Sequence, residues 1–487
     1  MARRKKAENP EEKESERTEE VEEGKSEKGE EKKTKRREKE EIAFEKETKE
    51  TEEKKGSEKK EKHEKKEERL YSEEINRRIE NSQPEINIGL VGHVDHGKTT
   101  LTERFSGKWT DTHSEEIKRG ITIRLGYADA IFYKCTACPS PAYTTKKICP
   151  KCNAPAVAVR KVSFVDAPGH ESLMATMLCG ANIMDGALLL VAGNESCPQP
   201  QTKEHLMALE IVDVKKVIVV QNKIDMVSRE QAMKNFQQIK SVLKGTKYED
   251  APIVPISAKH NVNIDALIEV IEKIIVTPER DPDKNPMMFV ARSFDVNKPG
   301  TLPKNISGGV LGGAIKQGKL KKGDEIEIRP GREVEEKNQK IWVPIFSKIQ
   351  SLITGGINVD EAGPGGSIGV QTLLDPSVVK SDNLVGAVVG HKGKLPKVLY
   401  DFILEPHLLD RVVGAKEESA VEPLKLGESL MLNVNSAATV GIVVELGKNQ
   451  VRCKLKLPVC ADVGSRVTIS RRIGTRFRLI GYGMIKE

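Results

Sequence analysis

Gly92-His93-Val94-Asp95-His96-Gly97-Lys98-Thr99-Thr100 spells G-x-x-x-x-G-K-T between an apolar run at 86–91 and a helix-compatible stretch at 98–105. Glycines at the first and sixth positions let backbone N–H groups curl around phosphate oxygens without a Cβ in the way. A lysine there neutralises β- and γ-phosphate charge, and the hydroxyl after it ligates magnesium. The expected phosphate-binding set is therefore Gly92, Asp95, His96, Gly97, Lys98, Thr99 and Thr100, joined by Gly169 from a later loop. A purely structural glycine turn is the weaker alternative, because the motif stands at a strand-to-helix junction.

Three later segments address the base. Asp166-Ala167-Pro168-Gly169-His170 follows an apolar run; its Asp can hold magnesium through water, and its Gly N–H can sense a γ-phosphate. Asn222-Lys223-Ile224-Asp225 ends another run. The Asp225 carboxylate can accept from the N1–H and 2-amino groups of guanine, a pair that adenine lacks. Lys223 would lie over the base plane, and Asn222 would brace the loops. Ser257-Ala258-Lys259 can offer a backbone N–H to the guanine oxygen. Each motif is weak alone. In this order, each at the C-terminal end of a strand, they point to GTP and GDP with magnesium. Between them lies Arg119-Gly120-Ile121-Thr122-Ile123, the interval for a first switch, with Thr122 placed to ligate magnesium when a γ-phosphate is present.

A second chemistry sits at Cys135-Thr136-Ala137-Cys138 and Cys149-Pro150-Lys151-Cys152. Two C-x-x-C pairs can bring four thiolates into tetrahedral reach, the ligand set of a closed structural zinc site. Disulfides are the alternative, disfavoured in a reducing compartment. The other cysteines, Cys179, Cys197, Cys453 and Cys460, show no ligand spacing.

Elements able to position these groups follow from the apolar pattern. Runs at 86–91, 162–165, 187–192, 216–221 and 253–256 alternate with helix-compatible stretches at 98–105, 205–211, 229–243 and 264–275. That alternation predicts a parallel sheet covered on both faces, an α/β P-loop domain. The cysteine pairs fall between runs at 128–134 and 157–165, so a zinc knuckle capping a hairpin is expected. Pro278, Pro282 and Pro286 stiffen a linker, after which short β-rich runs and glycine turns predict two small β-barrels meeting near Leu395-Pro396. A single large sandwich is the alternative. The expected domains are a disordered charged tail at 1–82, a GTP-binding domain at 83–283, and barrels at 284–395 and 396–487. A short helix over 72–82 is compatible with the local pattern.

Of the 487 residues, the first 70 hold 24 basic and 25 acidic side chains and almost nothing apolar. Such a segment buries too little to offset its ordering entropy. The remainder carries 56 basic against 48 acidic groups, which suggests an anionic partner such as nucleic acid, or simply a solvated basic surface. With no apolar leader and no apolar run near membrane length, a cytoplasmic protein without a membrane partner is expected.

Taken together, the phosphate loop, the Gly120-Ile121-Thr122 switch and Asp166-Ala-Pro-Gly-His170 resemble the translational GTPases. Longer stretches are similar to the gamma subunit of translation initiation factor 2 in its archaeal form: Lys108 to Gly120, Asn194 to Thr202, Arg292 to Gly300, Pro344 to Ile349, and Ser470-Arg471-Arg472 through Gly483. The resemblance spans roughly 85–487 and leaves the tail aside. It implies that His170 positions the attacking water, with Val94 and Ile121 as an apolar gate. It further implies that Asp95, with the Gly120 carbonyl, can bind a second cation beside the magnesium of Thr99, Thr122 and Asp166. Its implied partners are initiator methionyl-tRNA, alpha and beta subunits docked on the first barrel and the GTP-binding domain, and the small ribosomal subunit. An elongation-type GTPase, Tu-like or selenocysteine-specific, carrying another aminoacyl-tRNA is the alternative; an assembly subunit with negligible turnover is a more distant one.

Overall fold

The computed structural model describes residues 69–486 except 111–121, 123, 171–172, 299, 337–338 and 413–419. Most of the expected tail, together with Gly120 and Ile121, lies outside the described residues.

The chain is helical over 69–80 (α1), so the end of the segment assigned to the tail is folded. The reason is a backbone edge. Strand β4 (Ala156–Asp166) is longer than its neighbour β1 (Asn87–Gly92), whose pairing with it begins only at Ser163. Asn76 from α1 pairs the free edge, donating to the Ala156 carbonyl at 3.2 Å and accepting from the Ala158 N–H at 2.6 Å.

After β1 come α2 (Lys98–Ser106), β2 (Gly126–Cys135), β3 (Tyr143–Thr144), β4, α3 (Met174–Ala181), β5 (Gly186–Ala192), α4 (Pro200–Val212), β6 (Val217–Asn222), α5 (Arg229–Leu243), β7 (Ile253–Pro255) and α6 (Ile264–Ile274). The sheet order is β3-β2-β4-β1-β5-β6-β7. From β4 to β7 the pairing is parallel, whereas β2 runs antiparallel to β4 and β3 to β2. The parallel expectation therefore holds for the strands that carry the motifs, and the cysteine hairpin forms the antiparallel margin. Strands β1, β5 and β6 are buried along their whole length. Their side chains feed two apolar layers, one under α2 and α6 and the other under α3 and α4, as a sheet covered on both faces requires.

Local chemistry sets the helix ends. Ser228 accepts from the Gln231 N–H while its own N–H donates to the Gln231 side chain, a capping box that starts α5. Pro200 opens α4 five residues before the apolar pattern suggests, because a first-turn N–H needs no helical partner.

Beyond the linker, β8 (Met287–Phe294), β9 (Val310–Gln317), β10 (Leu320–Lys321), β11 (Glu325–Glu336), β12 (Gln339–Thr354), β13 (Ile357–Val359), β14 (Glu361–Ala362), β15 (Ile368–Thr372) and β16 (Val388–His391) form the first barrel. Its ring β11-β16-β8-β9-β15-β12 is closed by β11 pairing β12. The second barrel is the closed ring of β17 (Val398–Leu408), β20 (Val451–Cys460), β19 (Ala437–Leu446), β18 (Ser429–Val434), β21 (Arg466–Ile473) and β22 (Arg476–Lys486). Each barrel holds its own apolar core. Polar contacts fix them to the α/β domain. Gln83 bonds the Gly363 carbonyl at 2.7 Å, Asn182 the Asn435 carbonyl at 2.7 Å, and Arg478 pairs with Glu204.

Candidate functional site

Strand β1 ends at Gly92 with φ at 139°, where a Cβ would meet the Leu190 carbonyl oxygen at 2.4 Å. Glycine is therefore required there by space as well as by backbone angle. The chain turns through 93–96 and enters α2 at Gly97, in a left-handed conformation. A Cβ on Gly97 would strike the Asn222 side chain at 2.4 Å. Lys98 folds back over the loop, donating to the Gly92 carbonyl at 3.0 Å and the His93 carbonyl at 2.7 Å. Its ammonium thus stands at the centre of the loop.

Oxygen donors gather beside it. Thr99 Oγ1 donates to Asp166 Oδ2 at 2.8 Å and lies 3.3 Å from Thr122 Oγ1; Thr110 donates to the same carboxylate oxygen at 2.8 Å. Asp166 is fully buried at the end of β4. The Thr99 and Thr122 hydroxyls with the Asp166 carboxylate make a hard donor set, suited to magnesium with water and phosphate completing the shell.

The later loops close the other side. Asn222 donates to the His96 carbonyl at 3.0 Å and accepts from the Ala258 N–H at 3.0 Å, so one side chain joins all three loops. Lys223 follows at φ 62° and carries the chain to Asp225. A Ser257 hydrogen bond holds the Asp225 carboxyl below the usual range, with His260 3.5 Å from it. The Ser257 N–H is already used by the Val262 carbonyl at 3.2 Å.

These loops line one cleft of ≈ 300 Å³ at the C-terminal edge of the parallel strands, where open α/β sheets place ligands. Its wall includes Val94, Asp95, Gly97, Lys98, Thr99, Thr100, Thr122, Gly169, His170, Asn222, Lys223, Asp225, Ala258 and Lys259. Gly92, Asp166 and Ser257 support it from beneath. His96 is placed in the same loop, with its side chain turned inward. Its ring is fully buried, 2.9 Å from the Leu190 carbonyl and 3.3 Å from Glu195, so only its backbone could face a phosphate. The Gly120 and Ile121 expectations fall outside the described residues.

Sequence reasoning missed Trp109 and Met226, which also line the cleft, and His205 behind it. His205 is fully buried on α4, and its Nδ1 accepts the Gly92 N–H at 2.8 Å. No local motif signals that contact, since 113 residues separate the two.

At the hairpin margin, Cys135, Cys138, Cys149 and Cys152 bring their sulfurs within 4.8 Å of one another. Cys135 and Cys152 are 3.5 Å apart and Cys138 and Cys149 3.8 Å. A tetrahedron with Zn–S bonds of ~2.3 Å has S···S edges of roughly 3.8 Å. The donor set thus fits zinc and leaves no open position. Lys151 pairs with Asp265, and Ser140 donates to Glu269 at 2.9 Å, joining the knuckle to α6.

Three family patterns match in order along the chain: the elongation factor Tu GTP-binding domain over 83–277, elongation factor Tu domain 2 over 308–389, and the C-terminal domain of initiation factor eIF2 gamma over 401–485. Translation initiation factor 2 subunit gamma of Methanothermobacter thermautotrophicus is 59% identical over 83% of this chain and 100% of its own length. The subunit from Archaeoglobus fulgidus is 60% identical over 83% of this chain and 95% of its own length. The chain belongs to the translation initiation factor 2 gamma-subunit family. It is a translational GTPase, and GTP hydrolysis is its reaction. The solved translation elongation factor SelB of Methanococcus maripaludis, in complex with a GTP analogue, shares the fold with a TM-score of 0.61 at 23% identity, covering 83% of this chain and 80% of its own. Among the described residues no helix is long and apolar enough to cross a membrane.

Proposed function

We propose that this chain, with GTP bound, holds initiator methionyl-tRNA and delivers it to the small ribosomal subunit as one part of a heterotrimer with alpha and beta subunits, in the cytoplasm. The observation that carries this reading is a second groove. It lies between Tyr127 and Asp129 of β2 and the first barrel, with about 380 Å³ of space lined by Arg292, Phe294 and glycines of the barrel. Gly312, Gly313 and Gly369 keep its floor free of side chains, and the buried Tyr127 hydroxyl has no partner among the described residues. Arg292 donates to the Leu125 carbonyl at 3.3 Å, three residues past the switch threonine. An aminoacyl end seated in the groove would therefore sense the segment that responds to the γ-phosphate. The basic body supplies phosphate contacts along the rest of a tRNA.

In the nucleotide cleft, Lys98 and the amides of 95–100 and Gly169 hold the phosphates, and Asp225, Lys223 and the Ala258 loop take guanine. Thr99, Thr122 and, through water, Asp166 hold magnesium, which when bound neutralises charge between the phosphates. Asp95 and Gly120 are candidates for a second cation. His170, at the cleft wall with Val94, orients the attacking water, and Ile121 is the candidate second member of the apolar gate.

The test is affinity for initiator methionyl-tRNA in the GTP and GDP states, with and without an alpha subunit. The reading expects tighter binding with GTP and a further gain with the partner; equal affinity in both states would sink it. Competition by elongator aminoacyl-tRNAs separates the elongation-type alternative, since a carrier of initiator tRNA resists them.

A further inference from the structure

Neighbouring residues of α4 grip two different parts of the molecule. Glu204 is 3% exposed, and its carboxylate pairs with the Arg478 guanidinium on β22 of the second barrel. His205, the next residue, is fully buried and accepts the Gly92 N–H through Nδ1 at 2.8 Å. That bond needs a neutral ring, and burial holds the imidazole down at about 3. With Nδ1 accepting, the proton sits on Nε2, which has no partner among the described residues. The Gly92 amide is thus the polar contact that anchors the ring. Gly92 cannot yield sideways, since it is packed against the Leu190 carbonyl and its own carbonyl accepts from Lys98 at 3.0 Å. Further along the helix, Arg466 of the second barrel donates to the Ile211 carbonyl at 2.7 Å. The barrel therefore holds α4 at two points, one helical residue from the phosphate-loop contact and two turns beyond it.

We propose that α4 couples the second barrel to the phosphate loop: His205 is a positioning residue for Gly92, and Arg478 sets its position through Glu204. A helix moves as a unit, so a change in the barrel contact shifts the His205 acceptor and with it the amide that begins the phosphate loop. By linkage, bound nucleotide biases how firmly the barrel is held. The proposal rests on the reading that residues 92–100 hold the nucleotide phosphates.

Release of fluorescently labelled GDP from the full chain, followed by stopped flow, tests it. His205→Ala is expected to speed release about tenfold, the loss of one buried hydrogen bond. His205→Asn, whose Oδ1 can replace Nδ1 as acceptor, restores the rate to within about threefold. Arg478→Gln speeds release about threefold in the native background and adds nothing to His205→Ala, because both act through one contact. Asn182→Ala removes a barrel contact that does not involve α4, the bond to the Asn435 carbonyl, and leaves release unchanged. Native release rates in Arg478→Gln overturn the coupling, as does an Arg478→Gln effect that multiplies fully with His205→Ala. If His205→Ala does not fold, Arg478→Gln decides alone. Lys98→Ala separates the two readings. Unchanged GDP binding there refutes the phosphate-loop assignment itself, whereas lost binding with native release in the other variants refutes only the coupling.

Discussion

Asn222 Oδ1 accepts from the Ala258 N–H at 3.0 Å, tying the loop after β6 to the loop after β7. Its Nδ2 donates to the His96 carbonyl at the same length, so the bracing role expected of this residue has a geometry. Truncation strands both partners in a buried setting, at a cost of about 2 kcal/mol. Asn222→Ala is predicted to weaken GDP binding by roughly 30-fold, measured by titration with a fluorescent analogue. A dissociation constant within twofold of the native value would mean that the loops are braced elsewhere.

The base is addressed by a carboxylate whose ionised form is favoured. Asp225 is held below the usual carboxylate range by the Ser257 hydrogen bond, with Lys259 and His260 adding attraction. Replacing it with asparagine turns one acceptor oxygen into a donor, which opposes guanine N1–H and suits the 2-oxygen of xanthine. Asp225→Asn is predicted to weaken GTP binding on the order of 100-fold and to strengthen binding of xanthosine triphosphate. Competition between the two nucleotides reads this directly, and an unchanged preference removes Asp225 from base recognition.

Cys152 is the exposed member of the sulfur cluster, so Cys152→Ser opens no cavity and reports on metal alone. About one zinc per chain is expected in the native protein and well below that in the variant, by elemental analysis. Loss of the ion frees the 135–152 hairpin from its cross-link, so amide exchange should accelerate there and in the Asp265–Glu269 turn of α6 that the knuckle touches. Metal-free protein with native exchange in this hairpin would show that the four thiols close the structure without an ion.

The strand-end motifs, each weak alone, were legible together because they place phosphate-, metal- and base-binding residue types in order at the ends of successive apolar runs. What escaped has long sequence separation. Nothing near His205 predicts that it meets Gly92, and nothing near Glu204 predicts Arg478, which is 274 residues distant. The place of the His96 ring was not legible either: its position inside the phosphate loop says nothing of the space beneath, where the ring lies between Leu190 and Glu195. The antiparallel β2 was visible only as one arm of the cysteine hairpin, and the free edge of β4 that fixes α1 depends on the unequal lengths of two strands.

His205 also gives stability a pH dependence whose sign is fixed. Its folded ring titrates at about 3, lowered chiefly by burial and then by the nearby Lys98 charge, whereas an unfolded histidine titrates at ~6.5. Between those values the unfolded chain binds the extra proton, so stability falls as pH falls. The contribution is fully present above ~6.5 and is lost progressively toward 3, with on the order of 2 kcal/mol gone between pH 7 and pH 5. His96 is lowered as well, also by burial first, and steepens the same limb. Urea unfolding of the native chain at pH 7, 6 and 5 should show this decline, and His205→Asn should flatten it, since asparagine keeps the acceptor and has no proton to gain. A variant whose stability declines as steeply as the native chain would place the acid sensitivity at the other histidines.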